Sequence, residues 1–420
     1  MPDHFLSSKS ILISGAGLSS LSFTIALSKL WPESHGPPPR ITLLERDPSP
    51  STSKPGRQGY SLSLSGYDDT GGLVALRDLG LLDEILSCAT AGGPRDTGRF
   101  MIWDHDWRKV MSLRFRPVAG IPASTIRVAR KDLRRILLDA VPEEVEVRWG
   151  VSCLSAEKGV EGRVKVEVMR EDGEKESVEG DALVIADGAG SRIRGRLRGE
   201  GLEDAGAVQM VGIADFEERQ VPEPVDVNWG LQLTGKGVTC FYAPLDTKSV
   251  LWALSFLEDK PRARAVCTSS GEMQPVLEEA LRRGEALGPL FKRLVDATVD
   301  YNGVSVFPAR DKKPFGHEAC HDEAPIVFIG DSNHAVSPFA GYGANLALKD
   351  GWDLAQCLVS SLTADEALKK YDAVSVPRAK KVLETSRSRI HYLHSTGAKF
   401  FVYRMLLVVG GYVAWLFGMD

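Results

Sequence analysis

The stretch SILISGAGLSS, Ser10 to Ser20, decides how the rest of the chain is read. A short apolar run, Ser10–Ser14, stops on small residues, and a helical pattern begins at once and runs to about Leu30. The loop WPESHGPPP follows, and then a second strand-like run, Arg40–Glu45. Together these make a βαβ unit. Gly15 and Gly17 suit a tight turn and the close approach of backbone to a pyrophosphate, and the helix N-terminus offers free N–H groups and its positive end. Ser20 stands where a third glycine is usual, small enough for close helix–strand packing. Glu45 ends the second strand, placed to accept hydrogen bonds from a ribose. Its distance from the glycines exceeds the usual ~20 residues because the proline-rich loop is long. The unit predicts an adenine-dinucleotide site; the competing reading is a glycine turn that merely packs.

Two other strand ends decide which dinucleotide. A nicotinamide dehydrogenase needs the first unit and a catalytic domain, and has no use for DGAGSRIR (Asp187, Gly188, Ser191, Arg194) or GDSNHAVSPFAGYGANLALKD (Gly330–Asp350). With these motifs in order, the chain resembles the single-component FAD-dependent aromatic monooxygenases of the para-hydroxybenzoate hydroxylase fold. It looks closest to the tetracycline-inactivating and fungal biosynthetic members. Three fingerprints carry the resemblance: G-x-G-x-x-G at Gly15–Ser20, D-G-x-x-S-x-x-R at Asp187–Arg194, and G-D-x-x-H-x-x-x-P-x-x-G-x-G-x-N at Gly330–Asn345. Only the first departs, at Ser20. The last 60 residues resemble the family loosely.

The resemblance implies tightly bound FAD, with Glu45 and Arg46 at the adenosine, Arg130 at the phosphate or ribityl region, and Asp331 on the ribityl chain. Arg57 is a further flavin contact on this reading, and Asp187 with Arg194 serves FAD and the approach of NADPH or ties a strand end to a helix. The loop agrees physically: Pro338, Gly341 and Gly343 form a flat platform beside the flavin. The helix beginning near Ala344 and Asn345 aims its positive end at the charge that reduced flavin carries. Asn345 bonds either flavin or backbone.

The implied reaction consumes NADPH or NADH and O2. It hydroxylates or epoxidises a small aromatic or polycyclic, secondary-metabolite-like substrate through a C4a-hydroperoxyflavin. No second glycine-rich βαβ unit exists for the nicotinamide nucleotide, so it is expected to bind transiently. Tyr242, in CFYAPL, is the candidate catalytic side chain, facing the ring and polarising a phenol or ketone. His334 is assigned to loop structure because no partner for a metal or base role is visible, and no metal site is expected. Trp103 and Trp107 line the substrate cavity or pack a core. A flavin-dependent halogenase is the alternative enzyme, although its W-x-W-x-I-P signature is missing from IWDHDW; a non-catalytic FAD-containing ligand-binding protein is the other.

Bulk properties fit. A net charge of −5 gives no basic footprint for nucleic acid, so a small-molecule substrate is the expected partner. Six dispersed cysteines without metal-ligand spacing are read as reduced thiols, and no basic n-region with an apolar stretch marks a secretory signal, so a cytoplasmic protein is expected. The expected fold class is α/β, with a Rossmann-like FAD-binding domain formed by residues 1–80, 118–200 and 308–360. A mainly antiparallel β-sheet substrate domain is inserted as 81–117 and 201–307, and C-terminal helices span 361–420. The apolar tail Phe400–Phe417 has 13 uninterrupted apolar positions from Met405, fewer than the ~20 that span a bilayer. A terminal helix docked on the body is expected, with peripheral membrane contact as the second reading.

Overall fold

The computed structural model describes residues 3–50, 60–94, 98–159, 162–217, 220–320 and 324–418. Its organising element is a five-stranded, all-parallel sheet in the order Ile326–Phe328, Ala182–Ile185, Ser10–Ser14, Arg40–Glu45, Glu146–Trp149. Ser14 lies beside both Ile185 and Leu44, and Ile185 lies beside Phe328. That register brings the glycine turn, Asp187 and Gly330–Asp331 out of the sheet side by side. Ligands of open α/β sheets bind at this carboxyl edge.

Helix Leu18–Leu30 covers the sheet and crosses helix Gly343–Val359 closely. At the crossing, a Cβ on Gly351 would stand 2.4 Å from the Ser19 carbonyl oxygen and 2.5 Å from the Phe23 nitrogen, so the contact demands glycine. Ser20 is fully buried in the same region, its hydroxyl donating to the Gly17 carbonyl at 3.0 Å.

The second large sheet has eight strands, in the order Ala265–Val266, Ser305–Asp311, Glu203–Asp215, Ser249–Leu257, Val238–Pro244, Trp229–Leu233, Phe100–Trp103, Lys109–Leu113. All neighbours are antiparallel except Trp229–Leu233 with Phe100–Trp103. One face buries Trp103, Met210, Tyr242, Trp252 and Leu254 under helices Ser270–Arg283 and Gly288–Asp296. The sequence suggests one helical stretch here, Met273–Ala297. Glycines at 284 and 288, with Gly288 at φ +80° and Pro289 after it, break it into two. The other face turns toward the parallel-sheet body and the C-terminal helices. A three-stranded sheet, Ser61–Ser65, Thr125–Ala129 and Ala89–Ala91, with Thr125–Ala129 central, joins the two bodies.

The chain ends in two helices, Ala364–Leu393 and Gly397–Leu416. The last is 20 residues, longer than the uninterrupted apolar run from Met405, and long and apolar enough by length and composition to cross a membrane. One of its faces packs Phe400, Tyr403 and Leu407 beside Ile102 and Leu233. The opposite face leaves Phe401, Leu406, Tyr412, Trp415 and Phe417 more than half exposed. It is docked along one side only.

Candidate cofactor cleft

The carboxyl edge of the parallel sheet holds the first part of the site. Gly15 adopts φ +94°, and a Cβ there would lie 2.7 Å from the Ala186 carbonyl oxygen, so the glycine turn nests against the neighbouring strand end. A Cβ on Gly17 would meet only that same oxygen, at 3.9 Å, leaving the turn open on its outer side. Glu45 is buried and accepts from the Ala16 N–H at 2.6 Å and the Asp47 N–H at 2.9 Å. Arg134, one turn into helix Arg130–Asp139, lies 3.6 Å from Glu45 and donates to the Ala16 carbonyl at 3.1 Å. Sequence reasoning passed over Arg134, although it sits four residues beyond Arg130 on one helix face. Arg46 points outward at the rim. Helix Leu18–Leu30 has no side-chain cap and no acidic residue in its first turn, so its N–H groups remain available to an anion.

Next along the edge, Asp187 is half-buried and its Oδ1 has no hydrogen-bond partner among the described residues. Burial raises its pKa, a tendency opposed by a hydrogen bond from Ser191. Arg194 is spent on structure. It is 2% exposed and donates to the carbonyls of Ala189 (2.6 Å), Ser332 (2.9 Å), Asp331 (3.3 Å) and Glu200 (3.4 Å), stapling the second motif to the third. Asp331 is open to solvent between these motifs. The surrounding protein raises its pKa, against the pull of His334, Arg130 and Arg194. Arg130 is exposed at the start of its helix, on the Asp331 side. Arg57 lies outside the described residues.

The third motif makes a short turn, Pro338–Ala340, then Gly341 at φ +66°, then helix Gly343–Val359 without a side-chain cap. A Cβ on Gly341 would meet nothing within 4 Å. Gly343 and Ala344 carry the first free N–H groups of the helix. Asn345 is buried and fully used by the protein: its Oδ1 accepts from Ser65 N–H (2.7 Å) and Gly72 N–H (2.8 Å), and its Nδ2 donates to the Ser63 carbonyl (3.0 Å). Of the two partners expected for Asn345, the side chain takes backbone.

Beneath this loop lies a buried ionic network. His334 Nε2 is 2.6 Å from Asp350 Oδ2, off the line of its ring N–H, and the Gly330 N–H donates to the same oxygen at 3.0 Å. Arg378, from helix Ala364–Leu393, bridges Asp350 (2.9 Å) and Asp353 (2.6 Å), and Lys349 joins Asp353 at 2.8 Å. Burial alone would raise Asp350, but His334 and Arg378 hold its carboxyl down to about 2. Burial alone would lower His334, but Asp350 raises it. Asp350 and Asp353 fall among the buried Leu346 and Leu354 of one helix, and that polar interruption of an apolar face was the available signal.

The remaining candidates lie on the eight-stranded sheet. Tyr242 is not brought to the other candidates. It is fully buried on the helix-covered face, its hydroxyl donating to Gln232 Oε1 at 2.8 Å. Trp103 and Trp107 pack there with it, the Trp107 and Tyr242 rings 5.0 Å apart. Alternation puts Phe241 on the opposite face, with Trp229 and Ala243. The guanidinium carbon of Arg127 lies 5.2 Å from the Phe241 ring centroid.

The profile of the FAD binding domain family matches residues 60–386. The chain belongs to the FAD-dependent monooxygenases. Monooxygenase cfoF of Aspergillus candidus is 39% identical over 398 residues, 94% of this chain and 93% of that protein. FAD-dependent monooxygenase nscC of Aspergillus fumigatus is 27% identical, covering 91% and 95%. In fold, the chain is similar to Klebsiella pneumoniae HpxO complexed with FAD and uric acid (TM-score 0.74, 19% identity, 99% and 97% covered). It is likewise similar to a salicylate hydroxylase substrate complex (0.71, 19%, 99% and 96%). Neither the halogenase nor the ligand-binding alternative finds support among these relatives.

The donor set fits FAD. Helices Leu18–Leu30 and Gly343–Val359 both start without a side-chain cap or an acidic first-turn residue, so each offers free N–H groups of the kind a pyrophosphate or an anionic ring edge accepts. Glu45 retains lone pairs for ribose hydroxyls, Asp187 keeps an unmatched buried oxygen, and Gly17 and Gly341 leave open space where a side chain would intrude.

Proposed function

We propose that this monooxygenase takes reducing equivalents from NADPH or NADH and places one oxygen atom of O2 on a small aromatic or polycyclic substrate, as hydroxyl or epoxide. The observation that carries this reading is the convergence of Gly15, Asp187 and Asp331 on one edge of the parallel sheet. FAD, when bound, supplies hydride acceptance and oxygen activation. The turn at Gly15 and Gly17, packed from behind by the buried Ser20, and the helix that follows it hold the pyrophosphate. Glu45 and Arg46 meet the adenosine, and Asp187, Arg130 and Asp331 meet the phosphate and ribityl portion. The N–H groups following Pro338 and Gly341, at Gly343 and Ala344, stabilise negative charge at the ring edge. The apolar sheet face excludes water.

The test is stopped-flow mixing of the FAD-loaded enzyme with NADPH, then NADH, with and without aromatic compounds, followed by product mass in 18O2. Flavin bleaching and one 18O per product are expected. A flavin that stays oxidised with both nucleotides under every condition overturns the reading.

A second reading concerns the last helix. Its outer face is apolar, its only charged side chains are Lys399 and Arg404, and Arg114 and Arg116 stand exposed after the strand it packs on. This surface suits the interface of an anionic membrane. Flotation with vesicles containing phosphatidylserine is expected to carry the protein. Equal recovery of a variant ending before Gly397 would remove the assignment.

A further inference from the structure

Arg127 is the charged group that the cofactor reading leaves unused. It sits at the centre of strand Thr125–Ala129, where Ile126 and Val128 point into the core of the parallel-sheet body and Arg127 points the other way, toward the eight-stranded sheet. It is 4% exposed. Nη1 donates to Ser63 Oγ at 2.7 Å, Nη2 donates to the Ser61 carbonyl at 2.7 Å and to the Ser61 hydroxyl, and Nε has no partner among the described residues. Among the described residues no carboxylate neutralises it, and burial pushes the guanidinium down from its usual value. An arginine still stays charged at neutral pH.

A buried cation held only by neutral oxygens is costly, and the cost falls when an anion arrives. The place of Arg127 says where that anion sits. Ser63, its hydrogen-bond partner, accepts from Asn345 in the first turn of the helix behind the flavin platform. Phe241, over its plane, belongs to the apolar wall with Ala91, Trp229 and Ala243. One flank is therefore fixed to the flavin side and the other to the substrate side. The flavin already has a helix N-terminus for its negative charge. A guanidinium offers planar N–H groups that match a carboxylate, phenolate or enolate, and the ring beside it suits a flat ligand.

We infer that Arg127 is a substrate-binding residue, holding an acidic oxygen of a planar substrate between the flavin platform and Phe241. This rests on the cleft being the flavin–substrate cleft, which bleaching of the flavin by NADPH or NADH reads separately.

The experiment titrates FAD-loaded wild type, Arg127→Gln and Arg127→Lys with hydroxybenzoates and with their uncharged amides, following the flavin absorbance. Wild type is expected to bind the acids about tenfold or more tightly than the amides. Arg127→Gln is expected to lose that preference and Arg127→Lys to keep part of it, with FAD content and ligand-free flavin spectrum unchanged in both. Equal affinity of wild type for acid and amide overturns the inference, as does an intact preference in Arg127→Gln. Loss of FAD, or a shifted ligand-free flavin potential, in soluble Arg127→Lys overturns it in another way, by assigning the guanidinium to the cofactor. Should Arg127→Gln fail to fold, the wild-type preference and its reduction in Arg127→Lys decide the matter.

Discussion

Two buried arginines tie into the Gly330–Asn345 motif, and their surroundings differ in kind. Arg378, below the loop, is bonded to Asp350 and Asp353; Arg127, at the seam between the sheets, meets serines and the Phe241 ring. Both leave Nε unbonded, so hydrogen-bond counting does not separate them. Charge does. Burial would lower Arg378, but the two aspartates raise it above its usual value, whereas among the described residues nothing offsets burial at Arg127. A cation completed by the fold stabilises the fold. One that the fold leaves incomplete is free to select a ligand.

The largest effect tests the completed site. Asp350→Asn leaves Arg378 buried with one of its two carboxylates and His334 without its ion-pair partner, and weakens the anchor on the Gly330 N–H, so a loss of about 3–5 kcal/mol is expected. Denaturant unfolding measures the stability, and FAD retained after gel filtration measures the loop. Arg378→Met should match it in stability. A cost near zero for either would mean that the network does not hold the loop.

The sign of the pH dependence sharpens the same contrast. His334 has a raised pKa in the folded protein, so its contribution is fully present below about pH 6.5 and is lost as pH rises through the folded value. Asp350 is held down to about 2, so its contribution is present above about pH 4 and is lost as pH falls toward 2. The stability gap between wild type and His334→Gln is therefore expected to be widest between these limits and to narrow above about pH 6.5. A gap that widens with pH would show that His334 is neutral in the fold.

The parts of the site that the sequence made legible are local. Strand, glycine turn, helix and Glu45 form a pattern that short stretches specify, and the three motif ends follow from their strands being neighbours in a parallel sheet. What escaped is long-range. Arg378 meets Asp350 only because one long helix crosses another, and Arg127 was overshadowed by Arg130, three residues on, at the start of the next helix. Tyr242 illustrates strand parity: alternation fixes that it opposes Phe241, but which of the two faces the cleft depends on where helices Ser270–Arg283 and Gly288–Asp296 pack. Tyr242→Phe removes one buried hydrogen bond to Gln232 and is expected to cost about 1 kcal/mol, with flavin reduction rates unchanged. A slowed reduction at full stability would return Tyr242 to the chemistry.

The smallest expected effect is the most discriminating. Arg127→Met keeps the side chain's length, removes a charge that no described carboxylate offsets, and leaves Ser61 and Ser63 as small hydroxyls able to bond nearby backbone. Replacing a poorly compensated buried charge by a well-packed apolar group is commonly neutral or stabilising. The change in unfolding free energy of the ligand-free protein is therefore expected to stay within about 1 kcal/mol of wild type, on either side, while Arg378→Met loses several times that. If the two substitutions cost the same, Arg127 is as structural as Arg378, and the serines with the Phe241 ring compensate its charge as fully as two carboxylates do. If Arg127→Met is the more stable protein, the cation is held in the seam at the expense of the fold, and its use has to be sought in what enters the cleft.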